Sequence, residues 1–264
     1  MIQFLYGRAG SGKTAWITQA IRADIEHGHS VMVLVPEQEV LSCEQALSVA
    51  LDGLPLISLE VLSFRRLANL IFRKYGGLSY HCLGRGAQAL LLWKALKSCA
   101  GQLTEYRSVS LADQGFLYLM LDTITEFSIC KITPEQLQKT ADAMESSLLK
   151  RKLEDFAILY AVYLQLLHQD YDDVSDELSR AADLVQNRDF FANKRVYLDS
   201  FHTFSPQEYA LLRPIFTQST HVTVAMSFLP KQPEITFASV AQTAKKLHDL
   251  AIEAGCDIAP DICL

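Results

Sequence analysis

The chain has 264 residues, 50% of them hydrophobic and 20% charged, with a formal net charge of -6. This composition excludes a disordered polypeptide, and the acidic balance argues against a domain that wraps DNA on a basic face. Contact with nucleic acid through a local patch or a partner subunit stays open.

Ile2 to Tyr6 is a short apolar run that predicts a buried parallel strand. Gly7-Arg8-Ala9-Gly10-Ser11-Gly12-Lys13-Thr14 follows and fits the pattern GxxxxGK[ST] of a P-loop, or Walker A motif. The chemistry explains the residue types. Main-chain amides must curl around a phosphate, which needs glycine, and the following helix N-terminus favours an anion. Lys13 is expected to reach the β- and γ-phosphates of ATP, and the Thr14 hydroxyl to bind Mg²⁺. The next helix is read from Thr14 to Glu26, with Ile17, Ile21 and Ile25 on one face and Gly28 beyond its end.

Val31 to Val35 predicts a second strand, ended by Pro36. Ile57, Leu59 and Val61 alternate with polar residues and predict a third. Ser63 then caps a helix from Phe64 to Tyr75, closed by Gly76-Gly77. Gln38 after the second strand, and Ser63, Arg65 and Arg66 after the third, are candidate DNA contacts. Tyr75, Tyr80 and Trp93 are aromatic residues for base stacking, although such residues more often pack in cores.

From about residue 84 to 187 the pattern is helical, with helices expected at 86–99, 111–129, 134–146, 149–169 and 176–186. Thr133-Pro134-Glu135-Gln136 is a capping box with proline at the first helical position. Strands return at Val196 to Leu198 and His221 to Phe228, and helices at Pro206 to about Phe216 and at 237–254. The expected domains are 1–80, a first part of an α/β P-loop domain, 81–190, a helical insertion, and 191–264, its second part.

Asp199 ends an apolar strand in a Walker B pattern and is the candidate Mg²⁺-site carboxylate. RecA-like helicases usually place Glu next, to polarise the attacking water. Here the residue is Ser200, which is no base near neutral pH, so the sequence points to ATP binding rather than rapid turnover. Glu208 substitutes only if its loop folds back. No catalytic residue is assigned beyond the Mg²⁺-site candidate Asp199.

The six cysteines, at 43, 82, 99, 130, 256 and 263, have no CxxC spacing and read as reduced thiols. The N-terminus lacks the basic start of a signal peptide, and Ala87 to Leu92 is too short to span a bilayer, so a soluble cytoplasmic chain without membrane contact is expected.

In order, FLYGRAGSGKT, VLVPEQ, VLSFRRLA, a helical block, VYLDSFHTFSPQE and VTVAMSF resemble the N-terminal region of the AddB/RexB family, over residues 1 to about 230. Members of that family are the B-type subunits of bacterial AddAB-type ATP-dependent helicase/nucleases. The resemblance implies a RecA-like, superfamily 1-like α/β fold with a parallel sheet and an all-helical inserted subdomain. It implies binding of ATP and Mg²⁺, a heterodimer with an AddA-type motor/nuclease subunit, and contact with single- and double-stranded DNA. The role it implies is double-strand break repair by homologous recombination. In that family the nuclease domain and an iron–sulfur cluster depend mainly on a C-terminal part, so no cluster is expected here. A second RecA-like domain, the usual source of an arginine finger, is also missing. Two alternatives remain: a small-molecule P-loop kinase, and a non-hydrolysing scaffold that docks the motor subunit.

Overall fold

The computed structural model describes residues 1–77, 83–108, 113–170, 177–230 and 237–264, with side chains for all of these except 168–170. The chain divides into two compact units, Met1–Gly76 with Leu178–Leu264, and Gly77–Glu177.

The first unit opens with β1 (Ile2–Tyr6), α1 (Lys13–Glu26), β2 (Ser30–Leu34), α2 (Val40–Ala50), β3 (Leu59–Leu62) and α3 (Phe64–Tyr75). The second contains α4 (Arg85–Cys99), α5 (Gln114–Ile129), α6 (Pro134–Asp142) and α7 (Leu148–Asp170). α8 (Glu177–Gln186) leads back to the first unit, which continues with β4 (Lys194–Leu198), α9 (Pro206–Gln218), β5 (His221–Met226), α10 (Ala238–Glu253) and β6 (Ile262–Cys263).

All neighbouring strands are parallel, in the order β3-β2-β4-β5-β1-β6. The fold is therefore α/β with a parallel sheet. Its inner strands are apolar on both faces because helices cover both. Leu5, Val31, Val33 and Tyr197 pack with α1 and α2, while Phe4, Met32, Leu34 and Val196 pack with α3, α8, α9 and α10. This alternation is the two-residue period of a strand. Ala181 and Val185 place α8 in the core of the α/β unit.

The helical unit has its own core, including Leu92, Leu96, Met120, Leu121, Leu159 and Tyr160. Asp155 on α7 is 1% exposed and satisfies the turn after α4. Its carboxylate accepts from the backbone N–H groups of Thr104, Glu105 and Tyr106 at 2.7–3.1 Å, and from the Thr104 hydroxyl.

Local sequence explains several boundaries. Ser63 caps α3, and reciprocal capping boxes open α6 (Thr133 with Gln136) and α9 (Ser205 with Glu208). One strand expectation is corrected. Ile57 lies in a one-turn 3₁₀ segment, Leu56–Ser58, with its side chain 98% exposed, because sheet pairing starts only at Leu59, opposite Val31. α6 also ends earlier than expected, at Asp142, where a tightening turn precedes the Ser147 hydroxyl that accepts from the Lys150 N–H at the start of α7. The expected helix starts at 111 and 176 lie outside the described residues. No described helix is long and apolar enough to cross a membrane.

Candidate functional site

The glycine-rich loop joins the C-terminal end of β1 to the start of α1. Gly10 (φ 78°) and Gly12 (φ 96°) adopt left-handed backbone that side chains disfavour. A Cβ on Gly7 would run into the Ser11 hydroxyl and approach the Leu264 carbonyl oxygen at 3.3 Å. The Ser11 N–H donates to the Arg8 carbonyl at 3.1 Å, closing the loop. The Ser11 hydroxyl is buried without a hydrogen-bond partner. α1 starts on Gly12 with no side-chain cap, so its first-turn N–H groups receive none of the help that Ser63 or Ser205 gives elsewhere.

Lys13 is 9% exposed. Its ammonium donates to the carbonyls of Gly7 at 2.7 Å and Arg8 at 2.9 Å, inside its own loop. Burial lowers its pKa, and the charge of Asp199 works against that shift. Arg8, Gly10 and Thr14 are exposed around the loop, and Ala9 is exposed at its tip.

Asp199 follows β4, and its N–H donates to the Leu34 carbonyl at the end of β2. Burial raises its carboxyl pKa, opposed by the Ser200 N–H, which donates to Oδ1 at 2.8 Å, and by Lys13. The carboxylate of Glu39 adds to the rise. Ser200 takes φ 65°, an uncommon conformation for a residue with a side chain, and that turn aims its amide at the neighbouring carboxylate. Desolvation, with Asp199, Glu39 and Glu44 nearby, pushes the Cys43 thiol up to about 11. Glu39, Cys43 and Glu44 escaped the sequence reading because only the fold brings them near Asp199. Among the described residues no cluster of His, Cys, Asp or Glu forms a metal cage.

The candidate DNA contacts divide. Ser63 donates its hydroxyl to Glu37, and its Oγ accepts from the Arg66 N–H at 3.2 Å. Arg66 lies 3.5 Å from Glu37 and 3.7 Å from Glu44. Its charge is thus partly matched by carboxylates that the sequence reading did not connect to it. Arg65 and Gln38 are exposed. Glu208 accepts from the Ser205 N–H at 2.7 Å, so its carboxylate serves a helix cap. Tyr75 is half-buried against Phe190, and Trp93 is half-buried on the core of the helical unit. Tyr80 lies outside the described residues.

The profile of the family described as "ADDB, N-terminal" matches residues 4–264. The B-type subunit of the ATP-dependent helicase/deoxyribonuclease of Thermoanaerobacter sp. (strain X514) is 30% identical over 250 residues, covering 94% of this chain and 22% of the relative. Its namesake from Caldanaerobacter subterraneus subsp. tengcongensis is 31% identical over 254 residues, covering 96% of this chain and 22% of the relative. That of Clostridium kluyveri is 33% identical over 227 residues, covering 85% and 20%. The chain spans about a fifth of the length of these curated relatives.

Proposed function

Since this chain belongs to the ADDB N-terminal family, we propose that it is the nucleotide- and DNA-contacting, helicase-like part of the B-type subunit in an ATP-dependent helicase/deoxyribonuclease. On this reading it is a P-loop NTPase domain of RecA-like type, working in double-strand break repair beside an AddA-type motor subunit. The observation that carries the nucleotide assignment is the loop after β1. It combines left-handed Gly10 and Gly12, a buried Lys13 and an uncapped helix start.

The residues fit the phosphates of ATP. The buried Ser11 hydroxyl lacks a partner and the first-turn N–H groups of α1 lack a side-chain cap, so an oxyanion would supply acceptors to both. Residues 7–14 would hold the triphosphate, with Lys13 exchanging the Gly7 and Arg8 carbonyls for phosphate oxygens. Thr14 and Asp199 would hold Mg²⁺, an ion that needs few protein ligands when phosphates bind it too. When bound, Mg²⁺·ATP supplies a polarised γ-phosphoryl group. Ser200 offers no carboxylate for activating water and Glu208 is engaged in its cap, which favours binding with slow turnover. Gln38, Arg65 and Arg66 are assigned to DNA on the same rim, whereas Ser63 is buried with its hydroxyl engaged by Glu37 and the α3 cap and is not.

Calorimetry with Mg²⁺·ATP tests the central claim. Lys13→Ala should weaken binding at least about 100-fold, through loss of a charge-assisted contact, with an unchanged circular dichroism spectrum. Wild-type affinity in the variant would refute the assignment.

A further inference from the structure

Cations gather at the rim of the sheet opposite the glycine-rich loop. Lys194 opens β4, and α3 runs back from the end of β3 to finish at Tyr75. The Arg188 guanidinium carbon sits 4.5 Å from the centre of the Tyr75 ring. Lys74 Nζ is 5.4 Å from that ring and 5.2 Å from the Phe190 ring, and Lys194 Nζ is 5.9 Å from the latter. The two rings meet edge to face at 6.0 Å. Phe190 is buried, whereas Lys74 and Arg188 are exposed. Lys194 pairs with Glu60 at 2.7 Å. Among the described residues, no carboxylate pairs with Lys74 or Arg188.

A cation laid against an aromatic ring is held in place without being neutralised. This patch therefore presents oriented positive charge in a chain whose net charge is -6. Its rings already contact cations, which leaves little room for stacked bases. None of its residues is an exposed large apolar side chain of the kind that anchors a protein partner. Fixed charge without base or apolar readout matches the evenly spaced phosphates of a nucleic-acid backbone.

We infer that Lys74 and Arg188 form a phosphodiester clamp, a second nucleic-acid contact at the opposite rim from Arg65 and Arg66, while Lys194, neutralised by Glu60, only braces the Phe190 ring beneath them. The clamp does not depend on the nucleotide site.

Fluorescence anisotropy with a mixed-sequence single-stranded DNA oligonucleotide tests it, using the whole chain between about 50 and about 200 mM salt. The wild-type chain should bind with a negative slope of log affinity against log salt. Lys74→Gln with Arg188→Gln should flatten that slope by roughly 1.4, the share of two phosphate contacts on a single strand. Lys74→Arg with Arg188→Lys should retain it, and Mg²⁺·ATP binding should be the same in all three proteins. Four results would overturn the clamp: no binding by the wild-type chain at low salt, an unchanged slope in the neutral variant, equal loss in the charge-conserving variant, or tighter binding of polyglutamate than of DNA. A lower Tm with an unchanged slope would assign the cations to the fold alone, as partners of the α3 C-terminal dipole.

Discussion

Lys13 and Asp199 shift in opposite directions under the same influence, the scarcity of water around them. A carboxyl raised above its unfolded pKa binds more protons when folded, so stability falls as pH rises from the unfolded value through the folded one. At neutral pH the ionised Asp199 is then a net cost. Lys13, with a lowered pKa, costs stability below its folded value, and that cost fades as pH rises through it. Asp199→Asn should raise Tm at about pH 7 and weaken Mg²⁺·ATP binding. The thermal gain should vanish below about pH 3, roughly a unit under the unfolded carboxyl's value, where the wild-type carboxyl is protonated in both states. Melting curves at the two pH values check this, and a reduced Tm at neutral pH would show the carboxylate to be stabilising. The glycine-rich loop was legible because its eight residues are consecutive and their chemistry is local. The surroundings of Asp199 were not, since Glu39 and Cys43 arrive from the far end of β2 through strand order. The ties from Arg66 to Glu37 and Glu44 were invisible for the same reason.

Helices with strong local signals were read closely. α3 runs from Phe64 to Tyr75 as its cap and glycine stop indicate, and α9 opens at its Ser-Pro-Gln-Glu box. Ser205→Ala should cost about 1 kcal/mol in chemical denaturation, the usual value of a lost cap. Glu208→Gln should leave any ATP turnover unchanged, because the Glu208 carboxylate serves the Ser205 amide. A turnover defect in that variant would reinstate it as a base. α2 was missed because it buries only Val40 and Leu47 among its residues, leaving Leu41 and Val49 exposed and no clear periodic stripe. β6 was missed because two residues carry no period. Only their pairing with Leu5 and Tyr6 makes Ile262–Cys263 a strand. Ile57 misled through alternation alone, a pattern that chain geometry after Pro55 overrules.

Two units with separate cores predict separable thermal behaviour. Asp155→Ala removes the acceptor for three backbone amides and should destabilise the helical unit by about 3 kcal/mol. Mg²⁺·ATP should raise the melting transition of the α/β unit by mass action and leave that of the helical unit in place. Differential scanning calorimetry of wild type and variant, with and without nucleotide, checks both. A single transition that moves as one in every sample would disprove this division. The parallel sheet has a further implication. Its strands all point one way, so it has a head and a tail, separated by roughly 17 Å for five residues. The glycine-rich loop sits at the head, and Lys74 and Arg188 at the tail. On the proposed assignments, a polyanion gripped at the tail would stay moored while nucleotides come and go at the head, since neither tenant would touch the other's anchorage.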